Sequence, residues 1–218
     1  MRGPGAVGHH GRVDADQVAA LYTLLAPTGW LERTRAFARA LRSGARTPGG
    51  LLLVGTPSEE PWHLAAHLDE ESRFAGIPEL MPTLIRWAPP AGGPDHLRVG
   101  LGRLEAARRG EALFVVSPQA APVPLLERVS DARRAGAVIL ALDQGDRELE
   151  DLAHETLTVR EAAGPVTFDA AQHLVSAAAG ERGPGPGPPG QPGQPTGLRG
   201  LRSRLARLLD TVSGSPPR

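Results

Sequence analysis

Apolar residues along this chain fall into short unbroken runs separated by longer stretches of helical spacing. The clearest runs are residues 51–54 (LLLV), 112–116 (ALFVV) and 138–142 (VILAL). Residues 83–87 (TLIRW) and 156–159 (TLTV) are two further strand candidates. The runs at 112–116 and 138–142 show no polar alternation, so both faces of those strands are expected to be covered.

Between these two runs, Leu125, Leu126, Val129 and Ala132 make one buried helical stripe. Pro122 and Pro124 suit its first turn, where a missing N–H costs nothing. Arg133 and Arg134 favour its C-terminal dipole, and Gly136 supplies a left-handed stop. Strand, helix and strand at this spacing predict a βαβ unit, whose right-handed crossover makes the strands parallel neighbours. Helices are also predicted over 59–74, 96–109, 148–153 and 168–179. Two more precede the first strand: one capped by Asp14 with Val18, Leu21, Tyr22 and Leu25, and one opening at Thr28 or Gly29 with Trp30, Phe37 and Leu41. The alternation predicts an α/β fold: a three-layer α/β/α sandwich around a five-stranded parallel sheet, in the flavodoxin-like order 2-1-3-4-5.

Composition divides the rest of the chain. Residues 1–13 are Gly-rich and unpatterned, and disorder is expected there. Residues 14–48 carry the two upstream helices, expected to pack on the sheet or across a dimer, and residues 49–180 form the α/β domain. Residues 181–197 (ERGPGP…) are a Pro/Gly linker with nothing to bury. Residues 198–218 hold a leucine stripe flanked by Arg199, Arg202, Arg204 and Arg207. That pattern predicts a basic amphipathic helix for a protein groove or an anionic membrane surface. The 24 basic residues, all Arg, balance 24 acidic ones, which argues against nucleic acid as a partner. The absence of Cys excludes disulfides, thiolate metal sites and a Cys nucleophile. No signal-peptide pattern and no apolar run near the ~18 residues of a membrane span is visible, so a cytoplasmic location is expected.

An open parallel sheet takes ligands at the carboxyl ends of its strands, where strand order reverses. For the order above, that point lies between the Gly55-Thr56-Pro57-Ser58 turn and the Ser117-Pro118-Gln119 turn. Gly55, Thr56, Ser58, Ser117 and Gln119 are therefore the predicted ligand-binding residues. Helix N-termini beside them favour a phosphate, although capping of those helices is an equally good use for the hydroxyls. Neither GxxxxGK(S/T) nor GxGxxG occurs, so nucleotide binding draws little support.

The stretch LFVVSPQAAPVPLLERVSDARRAGAVILALDQGDRELEDLAHETLTV resembles the second half of a sugar isomerase (SIS) domain. Ala132-Arg133-Arg134-Ala135-Gly136-Ala137 and the run from Leu152 to Val159 fit its frame, and LLLVGTPSEEPWHLAAHL resembles the family's first strand, turn and helix. The resemblance covers residues 51–179 and is nearest in look to the second SIS repeat of glucosamine-6-phosphate synthase. It implies a phosphosugar or other carbohydrate derivative as ligand, a homodimer, and no cofactor. It also implies, for active members, aldose–ketose isomerisation with a glutamate base near the end of the first helix, where Glu70 and Glu71 stand. His173 is the corresponding candidate for assisting ring opening. The chain departs from the family at the third-strand loop, where Ser117 alone survives of SxSGxT and Pro118 removes a donor. Ungapped alignment puts Ser72, not a glutamate, in register with the base. Binding of such a ligand, not necessarily with turnover, is therefore the leading expectation, isomerase activity the second, and a ligand-free regulatory or scaffold role through residues 198–218 the third. His63 and His67 stand four apart and can face one metal ion, but HExxH is absent, and no metal is expected.

Overall fold

The computed structural model describes residues 23, 25–92, 94–160, 164 and 166–181. The chain separates into two compact units, one spanning Glu32–Gly180 and the other joining Met1–Leu31 to Glu181–Arg218. The expected helix at 14–25, the Pro/Gly linker and the basic tail helix fall almost wholly outside the described residues. Among the described residues, no helix is long and apolar enough to cross a membrane.

Five strands form one parallel sheet: β1 (Leu51–Val54), β2 (Pro82–Ile85), β3 (Ala112–Ser117), β4 (Val138–Asp143) and β5 (Glu155–Thr158). Their spatial order is β2-β1-β3-β4-β5, the order expected from the sequence. Among the described residues, five α-helices accompany them: α1 (Trp30–Gly44), α2 (Trp62–Ala75), α3 (Val123–Arg134), α4 (Arg147–Leu152) and α5 (Phe168–Ala179). The two-residue period of the strands splits the core into two layers. Leu52, Val54, Leu113, Val115, Ile139 and Ala141 join Leu125 and Val129 of α3 and Leu149 of α4 in one buried cluster. On β3 the intervening Phe114 stacks at a tilt on Phe37 of α1, with ring centroids 5.2 Å apart. The guanidinium of Arg42, also on α1, donates to the carbonyls of Ala178 and Ala179, closing the end of α5.

The βαβ unit follows its sequence signals. Pro122 is the N-cap of α3, and Gly136 adopts φ 93° just past its end. Ala137 N–H returns to the Ala132 carbonyl at 3.0 Å, the bond that closes a Schellman stop.

Two elements depart from expectation. The helix predicted from Glu59 begins only at Trp62. Thr56 and Glu59 exchange both backbone hydrogen bonds in a tight turn, and Pro61 biases Glu60 away from helical geometry. The helix predicted over 96–109 is instead two short 3-10 turns, Asp95–Leu97 and Leu101–Ala106. Gly100 and Gly102 lower its α-helical propensity. Val99 also leaves the helical ladder to accept the Arg86 N–H at 2.8 Å.

Candidate functional site

Order reverses between β1 and β3, so their exit turns face one another at the carboxyl edge. The β1 turn needs glycine first. A Cβ on Gly55 would sit 2.0 Å from the Glu59 carbonyl oxygen and 2.7 Å from Pro61 Cδ. Its own carbonyl accepts from Trp87 Nε1 at 2.8 Å. Gly55 is thus required by the backbone folding back on it.

The hydroxyls that follow bond to one another across the strands. Thr56 Oγ1 and Ser58 Oγ lie 3.1 Å apart, and Ser58 Oγ donates to Gln119 Oε1 at 2.9 Å. Ser117 Oγ donates to the Gln119 carbonyl at 2.6 Å. Thr56 and Ser117 are buried, whereas Ser58 and Gln119 are exposed. None of these hydroxyls caps a helix: α2 and α3 both start on a proline, Pro61 and Pro122, with no side-chain cap. The five predicted ligand-binding residues therefore converge, with the first-turn amides of two uncapped helices beside them. The β3 turn is pinned from below by Asp146. One of its carboxylate oxygens takes the Ala121 N–H at 2.7 Å, and the other caps α4 through Glu148 and Leu149.

Beside this turn stands a residue that the periodicity treats only as the end of a strand. Asp143 closes β4 in register with Ser117 and is fully buried. Its Oδ1 accepts from Gly145 N–H at 2.8 Å, while Oδ2 has no hydrogen-bond partner among the described residues. Burial pushes its carboxyl up to about 6, with Glu150 and Asp146 adding repulsion against the Gly145 bond. A lone Asp after an apolar run is the only signal the sequence offers for it. On the other side of β1, Glu60 accepts from Arg86, from the Trp62 indole and from the Trp87 amide, and Arg86 lies 4.4 Å over the Trp62 ring. This ion pair fixes the start of α2 and leaves Glu60 no role as a helix residue.

The predicted catalytic residues lie elsewhere. Glu70 and Glu71 stand eight and nine residues into α2, roughly 12 Å along its axis from the first turn. Glu70 is exposed and Glu71 is buried. Glu70 Oε2 lies 3.8 Å from His67 Nδ1. His67 Nε2 lies 3.0 Å from His63 Nε2, and the His173 ring on α5 completes a triangle with both. Glu70 and His173 are thus joined through His67, while Glu71 and Ser72 are buried residues of α2. Burial, with repulsion from His63 and His173, lowers His67 to about 4. Burial also lowers His173, against the pull of Asp169.

A hollow of about 610 Å³ lies between α3 and α4, away from these turns. Its Glu127, Asp131, Glu148 and Asp151 carboxylates repel a phosphate, and its Arg134 is already paired with Asp131.

No protein-family model matches the chain, and no curated protein matches it significantly. Solved structures are similar at low identity. A chain from Silicibacter pomeroyi DSS-3 described as a phosphosugar isomerase is 17% identical, with TM-score 0.49, covering 94% of this chain and 56% of that one. The sugar isomerase domain of an RpiR transcription factor from Sphaerobacter thermophilus is 18% identical, with TM-score 0.47, covering 83% and 85%. The NanR protein of Vibrio vulnificus, solved with ManNAc-6P, is 13% identical, with TM-score 0.42, covering 90% and 62%. This chain therefore spans little more than half the length of the first of these proteins.

Proposed function

We infer that this chain binds a phosphorylated sugar or related carbohydrate derivative at the β1/β3 switch point. The observation that carries this reading is the Thr56–Ser58–Gln119 chain of hydrogen bonds, which joins the two turns beside two uncapped helix N-termini. Pro124 has no N–H and the Leu125 amide is held by the Pro122 carbonyl, so a phosphate oxygen would take the exposed Ser58 hydroxyl and the Val123 amide, with the positive ends of two helix dipoles favouring its charge. Gln119, exposed at the rim, offers an amide to sugar hydroxyls. The likeness to the second SIS repeat of glucosamine-6-phosphate synthase stays with the sequence of the β3 turn, where SxSGxT is missing.

The reading is of binding without turnover. A base for proton transfer between C1 and C2 has to reach the sugar bound at the turns, and Glu70 and Glu71 are more than two helical turns further along α2. Pairing of two copies, with Trp62 and Met81 exposed on one protomer, belongs to the same reading and is checked by sedimentation.

Thermal-shift and calorimetric titration of the full chain against hexose and hexosamine 6-phosphates tests the proposal. Saturable stabilisation that is lost in S58A and Q119A is expected. No response to any of these ligands at millimolar concentration overturns it. A coupled fructose-6-phosphate isomerisation assay with E70Q and E71Q addresses turnover, and activity sensitive to either change would restore a catalytic reading.

A further inference from the structure

The three imidazoles between α2 and α5 have a geometry that the sugar site does not use. His63 and His67 are one helical turn apart on α2, so their rings project from one face. His173 comes from the helix packed against it. The ring centroids are separated by 4.4, 4.8 and 4.9 Å, each pair edge-on. One ring nitrogen from each lies within 4.8 Å of the other two.

This spacing has the dimensions of a metal site. Zinc–imidazole bonds of about 2.0–2.1 Å in a tetrahedron separate two ligand nitrogens by roughly 3.3 Å. The His63 and His67 nitrogens stand 3.0 Å apart, already at that bite. The third nitrogen lies within 4.8 Å of the others and has to close by up to about 1.5 Å, which side-chain rotation supplies. Carboxylates stand behind two of the rings, where histidine ligands usually have them. Glu70 Oε2 is 3.8 Å from His67 Nδ1, and Asp169 Oδ2 is 3.4 Å from His173 Nε2. The Nδ1 of His173 finds no hydrogen-bond partner among the described residues, although the ring is largely buried. His67 is 6% exposed and His63 is exposed, so the cluster has a buried floor and a side open to water.

We propose that His63, His67 and His173 form a three-histidine site for a zinc-class divalent cation, with its fourth position open to solvent. Three neutral nitrogen donors select zinc, cobalt, nickel or copper over magnesium and calcium, which take oxygen ligands. An open fourth position is the arrangement of a metal that binds water or a ligand oxygen rather than one that only holds helices together. The site shares no residue with the five at the β1/β3 turns. It replaces the sequence expectation that His63 and His67 serve no metal.

The test is zinc uptake by the full chain, freed of any affinity tag and carrying H9A and H10A, so that the N-terminal histidine pair contributes nothing. Calorimetry is expected to give one equivalent of Zn²⁺, and Co²⁺ to give the intense visible bands of a tetrahedral nitrogen-rich site. Loss of an outer carboxylate typically weakens a metal 10–100-fold. D169N should fall in that range, and H63A, at an exposed position that leaves folding intact, should weaken zinc by about a hundredfold or more. H173A should do the same and should remove the cobalt bands. Absence of stoichiometric uptake at submillimolar zinc overturns the proposal. So does uptake unchanged in both H63A and H173A.

Discussion

In the β1/β3 turns each of the three hydroxyls has a protein partner: Thr56 with Ser58, Ser58 with Gln119, Ser117 with the Gln119 carbonyl. Between α2 and α5 the polar atoms are as close together, yet His173 Nδ1 is left without one and His63 and His67 mostly face each other. The turns can be explained as structure alone, because buried polar groups must be satisfied and these are. The histidines are not satisfied in that way: His63 and His67 meet nitrogen to nitrogen, and neither ring nitrogen of the largely buried His173 has a hydrogen-bond partner among the described residues. A ligand at the turns therefore has to exchange for bonds already made, whereas a cation at the histidines fills a deficit.

The largest expected effect breaks the first region outright. G55A places a methyl 2.0 Å from a backbone oxygen, so we expect a loss of more than about 4 kcal/mol in urea unfolding. An alanine variant as stable as the parent would mean that the β1 turn is not held as described.

Next comes Asp143, buried beside the turns. Its folded pKa, about 6, lies above the 3.8 of an ordinary aspartate. The folded protein therefore keeps a proton that the unfolded chain releases, and this stabilisation is present below pH 4 and lost as pH rises through 6. The shift corresponds to roughly 3 kcal/mol. D143N, which cannot titrate, should gain about that much on the parent between pH 4 and 7 in pH-resolved urea unfolding. His67 acts with the opposite sign: its lowered pKa makes stability fall as pH drops from 6.5 toward 4. The difference between D143N and the parent isolates the aspartate from that trend, and a flat difference would refute the assignment.

Smaller effects sharpen the contrast between the regions. S117A leaves the Gln119 carbonyl without its donor and should cost about 1 kcal/mol. S58A, at an exposed position, should change stability by less than about 0.5 kcal/mol while weakening sugar-phosphate binding. Neither should alter zinc uptake. If S58A and H63A each impaired both kinds of binding, the two regions would have to be treated as one site.

Much of the architecture was legible because local and global signals agree here. The unbroken runs at β1, β3 and β4, the stripe Leu125–Val129–Ala132 and the stop at Gly136 point to the same parallel sheet. The order β2-β1-β3-β4-β5 was taken as the flavodoxin-like one, which the sheet has, and with it comes the meeting of Thr56, Ser58, Ser117 and Gln119. Helix starts were less legible. Glu59 and Glu60 look like good first-turn residues, but the turn at Thr56–Glu59 and the Arg86 partner of Glu60 are tertiary facts. The segment 96–109 had the right apolar spacing, and its glycines outweighed that spacing. His173 was named only through the family resemblance, as a ring-opening candidate, and its meeting with the other two histidines was not legible. His63 and His67 announce a shared face through their spacing, whereas His173 reaches them only because α5 folds back onto α2. Asp143 carries only the signal of a lone acid after an apolar run, since its burial comes from the strands and helices around it.

Asp146 has a mechanical consequence. Its two oxygens grip amides from separate segments, Ala121 before α3 and Glu148 and Leu149 at the head of α4. One carboxylate thus rivets two loops into a single moving part. Any molecule that draws Gln119 outward must pull on the first turn of α4 as well, so a fluorophore on exposed Arg147 becomes a remote gauge of occupancy at the turns.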